Sequence, residues 1–267
     1  MSADQAIFVR HVHLWFKHNS NFKAVKVLGV IPARYNSSRF LGKPLIDLKG
    51  KSMIQRVYEG VSKSSLIDKV IVATDDERIF QHVQSFGGMV MMTSSEHTTG
   101  TDRCGEVAEK FPEYDVVINI QGDEPLVDYR QLEELIHLFD TEQTQIGTLG
   151  IILNSVNELN NENRIKIVLN HQNQALYFSR SAIPNTAKYK ADALGEGHFL
   201  RHIGLYGFRR NVLMEVIKLP ITMLETLESL EQLRWLYYGY TINVAQTTIE
   251  TPNIDTPEDV ENVMRLL

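Results

Sequence analysis

From Val25 onward the chain alternates short apolar runs with amphipathic segments, and that alternation confines it to a parallel β/α architecture. "VKVLGVI" is a continuous apolar run stopped by Pro32, as befits a strand buried on both faces and followed by a loop. "SMIQRVYEGVSKS" then places Met53, Ile54, Val57 and Val61 at helical spacing behind Ser52, a capping residue. "DKVIVATDD" and "ERIFQHVQSFGG" repeat the pair, the helix closed by two glycines. "MVMMT", "DRCGEVAEKF", "YDVVINIQGDEP" and "YRQLEELIHLFDT" continue the rhythm. Strands joined by helices of this length require right-handed crossovers and a mainly parallel central sheet. Ligands of such sheets sit beyond the carboxyl ends of the strands. The loops after Ile31, Thr74, Thr93 and Ile120 are therefore the places to look.

The second half changes pattern. "RIKIVLN" and "QALYFSRS" flank "HQNQ" as a hairpin, and "FLRHIGLYGFRR" alternates like a strand. "LETLESLEQLRWLYYG" reads as one helix, its leucines at 224, 227, 230, 233 and 236 forming a packed face in the core or at a subunit contact. "YTINVAQ" is a last strand, and "TPEDVENVMRLL" a helix capped by Thr256 with Pro257 at its first position. One unit over 25–267, with an inserted substrate-binding and dimerisation lobe at about 155–240, is the simplest organisation. Residues 1–24 read as an accessory or poorly ordered extension. Their His11, His13 and His18 have no cysteine or carboxylate at a ligand spacing.

A formal net charge of −6 excludes bulk nucleic-acid binding, and no apolar run is long enough to span a bilayer. One cysteine, Cys104, excludes an internal disulfide framework and suits a reducing, cytoplasmic setting. If an acidic chain binds anions, positive charge must be concentrated locally or supplied by a metal on carboxylates.

The segment Val30–Leu45, "VIPARYNSSRFLGKPL", meets the first condition. Arg34, Arg39 and Lys43 crowd a polar loop between a strand and a helix, a placement suited to polyphosphate. It is not a Walker loop, because Leu45 stands where that spacing needs glycine before "GKS", and there is no G-x-G-x-x-G. "NIQGDEP", at the end of the fourth strand, meets the second condition. Asp123 is a Mg²⁺ ligand candidate, with Glu124 as the alternative, and Gly122 permits close backbone approach. Asp255, in "NIDTPED", is either a second ligand or a polar loop residue ahead of the Thr256 cap. "SSEHTTGTDR" offers a hydroxyl- and amide-rich surface for a base or phosphate, or equally a capped helix start with Asp102 in its first turn. Arg180, Arg201, His202, Tyr206, Glu231 and Gln232 lie on strand- and helix-like segments; an Arg suits a substrate carboxylate, and Tyr, Gln, Glu and His suit hydroxyls.

These pieces, in this order, resemble the 3-deoxy-manno-octulosonate (Kdo) cytidylyltransferases over about nine-tenths of the chain. "IPARYNSSR…GKPL" and "QGDEP" mark the broad sugar nucleotidyltransferase class, whereas "ALYFSR", "RHIGLYGF" and "LEQLR" mark the Kdo enzymes. The resemblance implies a GT-A-like α/β fold, a homodimer, CTP and Kdo as substrates, Mg²⁺ as cofactor, and a role in lipopolysaccharide synthesis. It implies that Arg34, Ser37, Arg39 and Lys43 handle the triphosphate, with Arg39, Lys43 and Asp123 carrying catalysis. Thr98, Gly100, Thr101, Arg103 and Gln121 would line the nucleotide pocket. Asp123 and Asp255 would hold the metal, and Arg180, His202, Tyr206, Glu231 and Gln232 would face the sugar. Leu41 stands where the family usually has proline, and Thr99 where it usually has serine. Two alternatives remain at this level: a related acidic sugar such as 8-amino-Kdo or a sialic acid, or a non-catalytic nucleotide-binding regulator on the same fold.

Overall fold

A computed structural model describes residues 25–36, 40–185 and 199–267. Three expectations lie outside them: the 1–24 extension, the positions of Ser37 and Arg39, and most of the loop Pro184–Gly197. The first strand, β1 (Val27–Ala33), is the one whose apolar run has no alternation, and both of its faces are covered. Leu28 and Val30 pack with Ile71, Ala73 and Val117 against Cys104, Val107 and Ala108 of helix α3 (Gly100–Lys110). Val27 and Ile31 point the other way, against Ile54, Val57 and Val61 of helix α1 (Met53–Val61) and Leu132 and Leu135 of α4 (Tyr129–Ile136). Helix α2 (Glu77–Ser85) adds Ile79 and Val83 on that second face. Two helical layers therefore sandwich the sheet, as the period-2 burial of a doubly covered strand requires.

Besides the two-residue strands β2 (Asp47–Leu48) and β3 (Lys51–Ser52), which pair only with each other, the strands form one sheet. In chain order these are β4 (Lys69–Thr74), β5 (Val90–Met92), β6 (Val116–Asn119), β7 (Ile146–Ile152), β8 (Lys166–Leu169), β9 (Ala175–Ser179), β10 (Leu200–Arg209) and β11 (Ile242–Thr247). The spatial order is β11-β7-β10-β6-β1-β4-β5, with β8 and β9 hanging from β10 as the expected hairpin. Parallel pairings join β11 to β7, β6 to β1, β1 to β4 and β4 to β5, while β10 alone on that path runs against its neighbours. The sheet is thus mainly parallel, and β1, β4 and β6 send their carboxyl ends to one edge. The span 155–240 supplies β10 to the middle of this sheet as well as the hairpin beside it, and includes the short helices α5 (Val156–Leu159) and α6 (Arg210–Val216).

Two elements differ from the sequence reading. Strand β7 was not anticipated, because its apolar run "IGTLGII" is broken by glycines, which weaken a strand signal. Packing explains them. Gly147 pairs with Gly207 of β10, and a Cβ on Gly207 would lie 2.6 Å from the Phe139 ring, on Gly147 3.0 Å from it. The glycine pair makes room for that ring. The single helix expected over "LETLESLEQLRWLYYG" is two, α7 (Met223–Glu228) and α8 (Gln232–Tyr237). Ser229 between them is left-handed at φ 52°. Of the leucine face, Leu230 and Leu233 are buried and Leu227 is exposed. The break turns the chain so that Glu231 and Gln232 face the sheet edge rather than continuing a helix. The C-terminal helix α9 (Pro257–Leu266) begins as expected, with Pro257 first.

Candidate active site

The loop after β1 turns back through Gly42, whose φ of 69° is left-handed and whose N–H donates to Tyr35 O at 2.9 Å. This directs Lys43, at the start of a short 3₁₀ turn, toward the carboxyl ends of β1 and β6. There its Nζ lies 2.8 Å from Asp123 Oδ2, 2.9 Å from Ile254 O and 3.8 Å from Asp255 Oδ1. Three segments separated by up to 211 positions in sequence thus meet at one cation. Asp123 is held there by its backbone: Ile254 N–H donates to Asp123 O at 2.9 Å. Gly122 approaches β1 so closely that a Cβ would sit 2.8 Å from Pro32 O, which accounts for a glycine in "QGDEP". Asp255 is oriented by the capping of α9, where Asp259 Oδ2 accepts from the N–H groups of Asp255 and Thr256 at 3.0 and 2.9 Å.

Beside this cluster lies a cavity of about 420 Å³. Gly100 and Thr101 enter its wall from the start of α3, and Asn119, Gln121, Asp123 and Glu124 from the end of β6. Arg201, His202 and Tyr206 come from β10, Glu231 and Gln232 from the helix break, and Thr251, Asn253 and Asp255 from the loop before α9. Asn163 and Arg164 come from the turn before β8. The expected nucleotide and sugar residues therefore share one wall: Thr101 Oγ1 donates to Glu231 Oε2 at 2.8 Å. Gln121 Nε2 donates to Gly204 O at 3.1 Å, beside an irregularity in the β10–β7 register.

Not every anticipated residue reaches the cavity. Arg34 donates to the carbonyls of His97 and Thr99 (3.5 Å for the latter), tying the first loop to the one before α3. Thr98 donates to Asp102 Oδ2 at 3.1 Å, and Thr99 and Asp102 form a capping box, so this fragment is a capped helix start as well as a cavity wall. Arg103 is fully buried, with Thr93 Oγ1 as acceptor and Asp75 Oδ2 3.4 Å away. Arg180 donates to Glu228 O at 2.7 Å, Ser229 O at 3.4 Å and Glu162 O at 3.1 Å, and so braces the helix break that presents Glu231.

The wall is strongly acidic, and burial shapes its electrostatics. Glu124 is pushed up to about 7, first by burial and then by the Asp123 carboxylate, against the Thr251 hydroxyl and Arg201. Burial likewise raises Glu231, opposed by the Thr101 hydroxyl. His202 is pushed down to about 3 by burial and by Arg201. Its Nε2 lies 3.0 Å from Thr148 Oγ1, whose single proton goes to Leu205 O at 2.8 Å. With that proton on a backbone carbonyl, Leu205 O or Ile203 O at 3.2 Å, His202 Nε2 is the donor to Thr148 and Nδ1 an acceptor.

Sequence reasoning missed Asn119, Asn163, Arg164, Thr251 and Asn253 in this wall. Asn119 gave a usable signal, an amide inside an apolar strand, and its buried Oδ1 has no hydrogen-bond partner among the described residues. The others belong to loops, where polar residues are unremarkable.

The residues fit Mg²⁺, judged by donor chemistry. Two carboxylates and a carbonyl, all hard oxygen donors, already converge on one ammonium. Among the described residues no cluster of three or more His, Cys, Asp or Glu forms a metal site, but Mg²⁺ ordinarily takes only one or two protein carboxylates.

Comparison with known proteins gives a consistent result. A sequence profile described as Cytidylyltransferase matches residues 28–244. The chain is 50% identical over 249 residues to a 3-deoxy-manno-octulosonate cytidylyltransferase from Parabacteroides distasonis, covering 91% of this chain and 98% of that one. It is 49% identical to the protein of the same name from Porphyromonas gingivalis, covering 91% and 96%. A solved structure of CMP:2-keto-3-deoxy-manno-octonic acid synthetase complexed with CTP superposes with a TM-score of 0.84 at 43% identity, covering 90% of this chain and 98% of that one.

Proposed function

The chain belongs to the 3-deoxy-manno-octulosonate cytidylyltransferases, and we propose that it transfers CMP from CTP to the anomeric hydroxyl of Kdo, releasing pyrophosphate, for lipopolysaccharide synthesis. The observation that carries this reading is the meeting of Lys43, Asp123 and Asp255 at the mouth of a cavity whose far wall holds His202, Tyr206, Glu231 and Gln232. A triphosphate-handling cation and a carboxylate pair then stand beside a pocket rich in hydroxyl-binding groups.

Nucleotidyl transfer asks a protein mainly for positioning and charge neutralisation. The anomeric hydroxyl oxygen attacks the α-phosphorus and gives up its proton to solvent, its bond to phosphorus forming as the bond to the β-phosphate oxygen breaks, and pyrophosphate leaves with the electron pair. Asp123 and Asp255 would hold Mg²⁺, which when bound neutralises phosphate charge and acidifies the attacking hydroxyl. Lys43, released from the carboxylates, reaches the departing pyrophosphate, with Arg39 assigned to the same charge by resemblance. Gly100 and Thr101 present the start of α3 to the nucleotide. Glu231, Gln232 and the His202 Nδ1 acceptor orient sugar hydroxyls. A neutral His202 is a poor proton shuttle at neutral pH and serves as a positioning residue.

Homodimerisation belongs to the same proposal. Its support is a set of exposed apolar side chains on neighbouring elements, Leu176 of β9, Ile221, Met223 and Leu227 at α7 and Tyr237 of α8, each 59–75% exposed. A cytoplasmic location is also proposed. It draws support from Cys104, a buried free thiol, and no helix among the described residues is long and apolar enough to cross a membrane.

Pyrophosphate release in the presence of CTP, Kdo and Mg²⁺ tests the function. Release that needs all three and yields CMP-Kdo is expected. Release no faster with Kdo than without it would overturn the proposal, and preference for a sialic acid or 8-amino-Kdo in the same assay would reassign the sugar.

A further inference from the structure

We propose that Gln131, on helix α4, is a positioning residue that sets Asp255 for the divalent cation by fixing the segment that carries it. This rests on the reading above, that Asp123 and Asp255 take the metal. The segment 248–256 leaves β11 and enters α9 with no helix or strand of its own. A carboxylate on such a segment is only as well placed as the bonds that hold it to the scaffold.

Those bonds come from four sources. Gln131 Nε2 donates to Ile249 O at 2.6 Å. Arg201 Nη2 donates to Glu250 Oε1 at 2.6 Å. Thr251 Oγ1 lies 3.1 Å from Glu124 Oε2, to which it donates, and 3.5 Å from Gln131 Oε1. Ile254 N–H donates to Asp123 O at 2.9 Å. Gln131 thus meets the segment at two points, and the segment in turn touches both Asp123 and its neighbour Glu124.

Burial separates Gln131 from the other holds. The Glu250 side chain is 54% exposed, so its pair with Arg201 is screened by solvent. Gln131 is fully buried, and breaking its bond to Ile249 O would leave a donor and an acceptor unpaired together. It also stands on a rigid base. It lies in the first turn of α4, where its N–H donates to Asp128 O at 3.1 Å, and the next residues inward, Leu132 and Leu135, are packed into the core beneath the sheet. The site needs an amide there: one end donates to a carbonyl while the other faces the Thr251 hydroxyl. A carboxylate would oppose the carbonyl and crowd Glu124.

Mn²⁺ titration of the nucleotide-free protein, read by the resonance of free Mn²⁺, tests the assignment in a double-mutant cycle with Asp255→Asn. Gln131→Met keeps the side chain's volume and removes both polar atoms. It should weaken Mn²⁺ binding about 10-fold, and by no more than about twofold where Asp255→Asn is already present. The Mg²⁺ concentration that gives half-maximal turnover should rise in step. A merely structural role would lower the unfolding temperature and leave Mn²⁺ affinity unchanged, which would overturn the proposal. So would equal losses with and without Asp255→Asn, which would mean that Gln131 does not act through Asp255. If Gln131→Met does not fold, Thr251→Val, which frees the same segment from Glu124, takes its place in the cycle and is judged by the same outcomes. Should Asp255→Asn alone leave Mn²⁺ affinity unchanged, the metal reading fails and this proposal with it. A loss with Asp255→Asn but none with Gln131→Met sinks this proposal alone.

Discussion

Lys43 sits where two carboxylates would otherwise repel each other, 2.8 Å from one and 3.8 Å from the other. It competes for the site that a divalent cation would take. Removing it should therefore have opposite effects on catalysis and on bare metal binding. Lys43→Met should lower kcat by about 10²–10³-fold, the usual cost of losing a charge that faces the transition state. The same variant should bind Mn²⁺ more tightly than the parent in the absence of nucleotide, as read by the resonance of free Mn²⁺. His202 makes a second prediction from burial. Its ring packs against the aromatic side of the cavity wall, with Phe178 5.1 Å and Tyr206 5.2 Å away between centroids. An unfolded imidazole takes its proton near 6.5, while the folded one resists until about 3. Between those values the unfolded state binds more protons, so stability is fully present above 6.5 and falls as the solution is acidified. The slope is at most about 1.4 kcal/mol per pH unit. His202→Gln should remove that part of the acid sensitivity in denaturant titrations between pH 6.5 and 4.

At the level of elements, the site depends on how closely β6 can approach β1. Gly122 is the point of contact, with Pro32 O where its Cβ would be. Gly122→Ala should displace the loop that carries Asp123 and reduce kcat/KM by about 10²-fold, the scale of an ångström misplacement. Its stability cost should be smaller, about 1–3 kcal/mol, so thermal unfolding and turnover measured together separate the two effects. The same elements show why much of the architecture was legible. β1, β4 and β6 declare themselves because strands covered on both faces must be continuously apolar, and helices between them must carry a 3.6-residue stripe. β7 did not, because Gly147, paired with Gly207, answers to the Phe139 ring across space rather than to any local pattern. The break at Ser229 was hidden for a similar reason. Helical propensity runs through it, and what holds it open is Arg180, about fifty positions away. Of the site, Lys43, Asp123 and Asp255 were readable as charges at strand ends. Their convergence through Ile254 depends on turns that have no signature in one sequence.

At the scale of the whole molecule, one short helix lies between the exposed apolar side chains Met223 and Leu227 and the cavity residue Glu231. Met223 and Leu227 lie on α7, and the end of that helix is gripped from inside: Glu228 Oε1 accepts from Ser179 Oγ at 2.7 Å, and Glu228 Oε2 from Arg180 N–H at 2.9 Å. Three residues later the chain presents Glu231 to Thr101. With only six residues α7 has little stability of its own, and a short helix depends on what covers its apolar face. A second copy of the chain seated on these side chains would provide that cover. Paired charges at the centre of such a contact are costly to desolvate, so Met223→Glu with Leu227→Glu should convert a dimer into a monomer in sedimentation velocity. Because the chain after α7 presents Glu231 and Gln232, the residues proposed to face the sugar, the monomer should show a raised KM for Kdo with a smaller change for CTP. A parent that sediments as a monomer at micromolar concentration would remove the dimer from the proposal. A monomeric variant with unaltered KM for Kdo would separate that surface from the site.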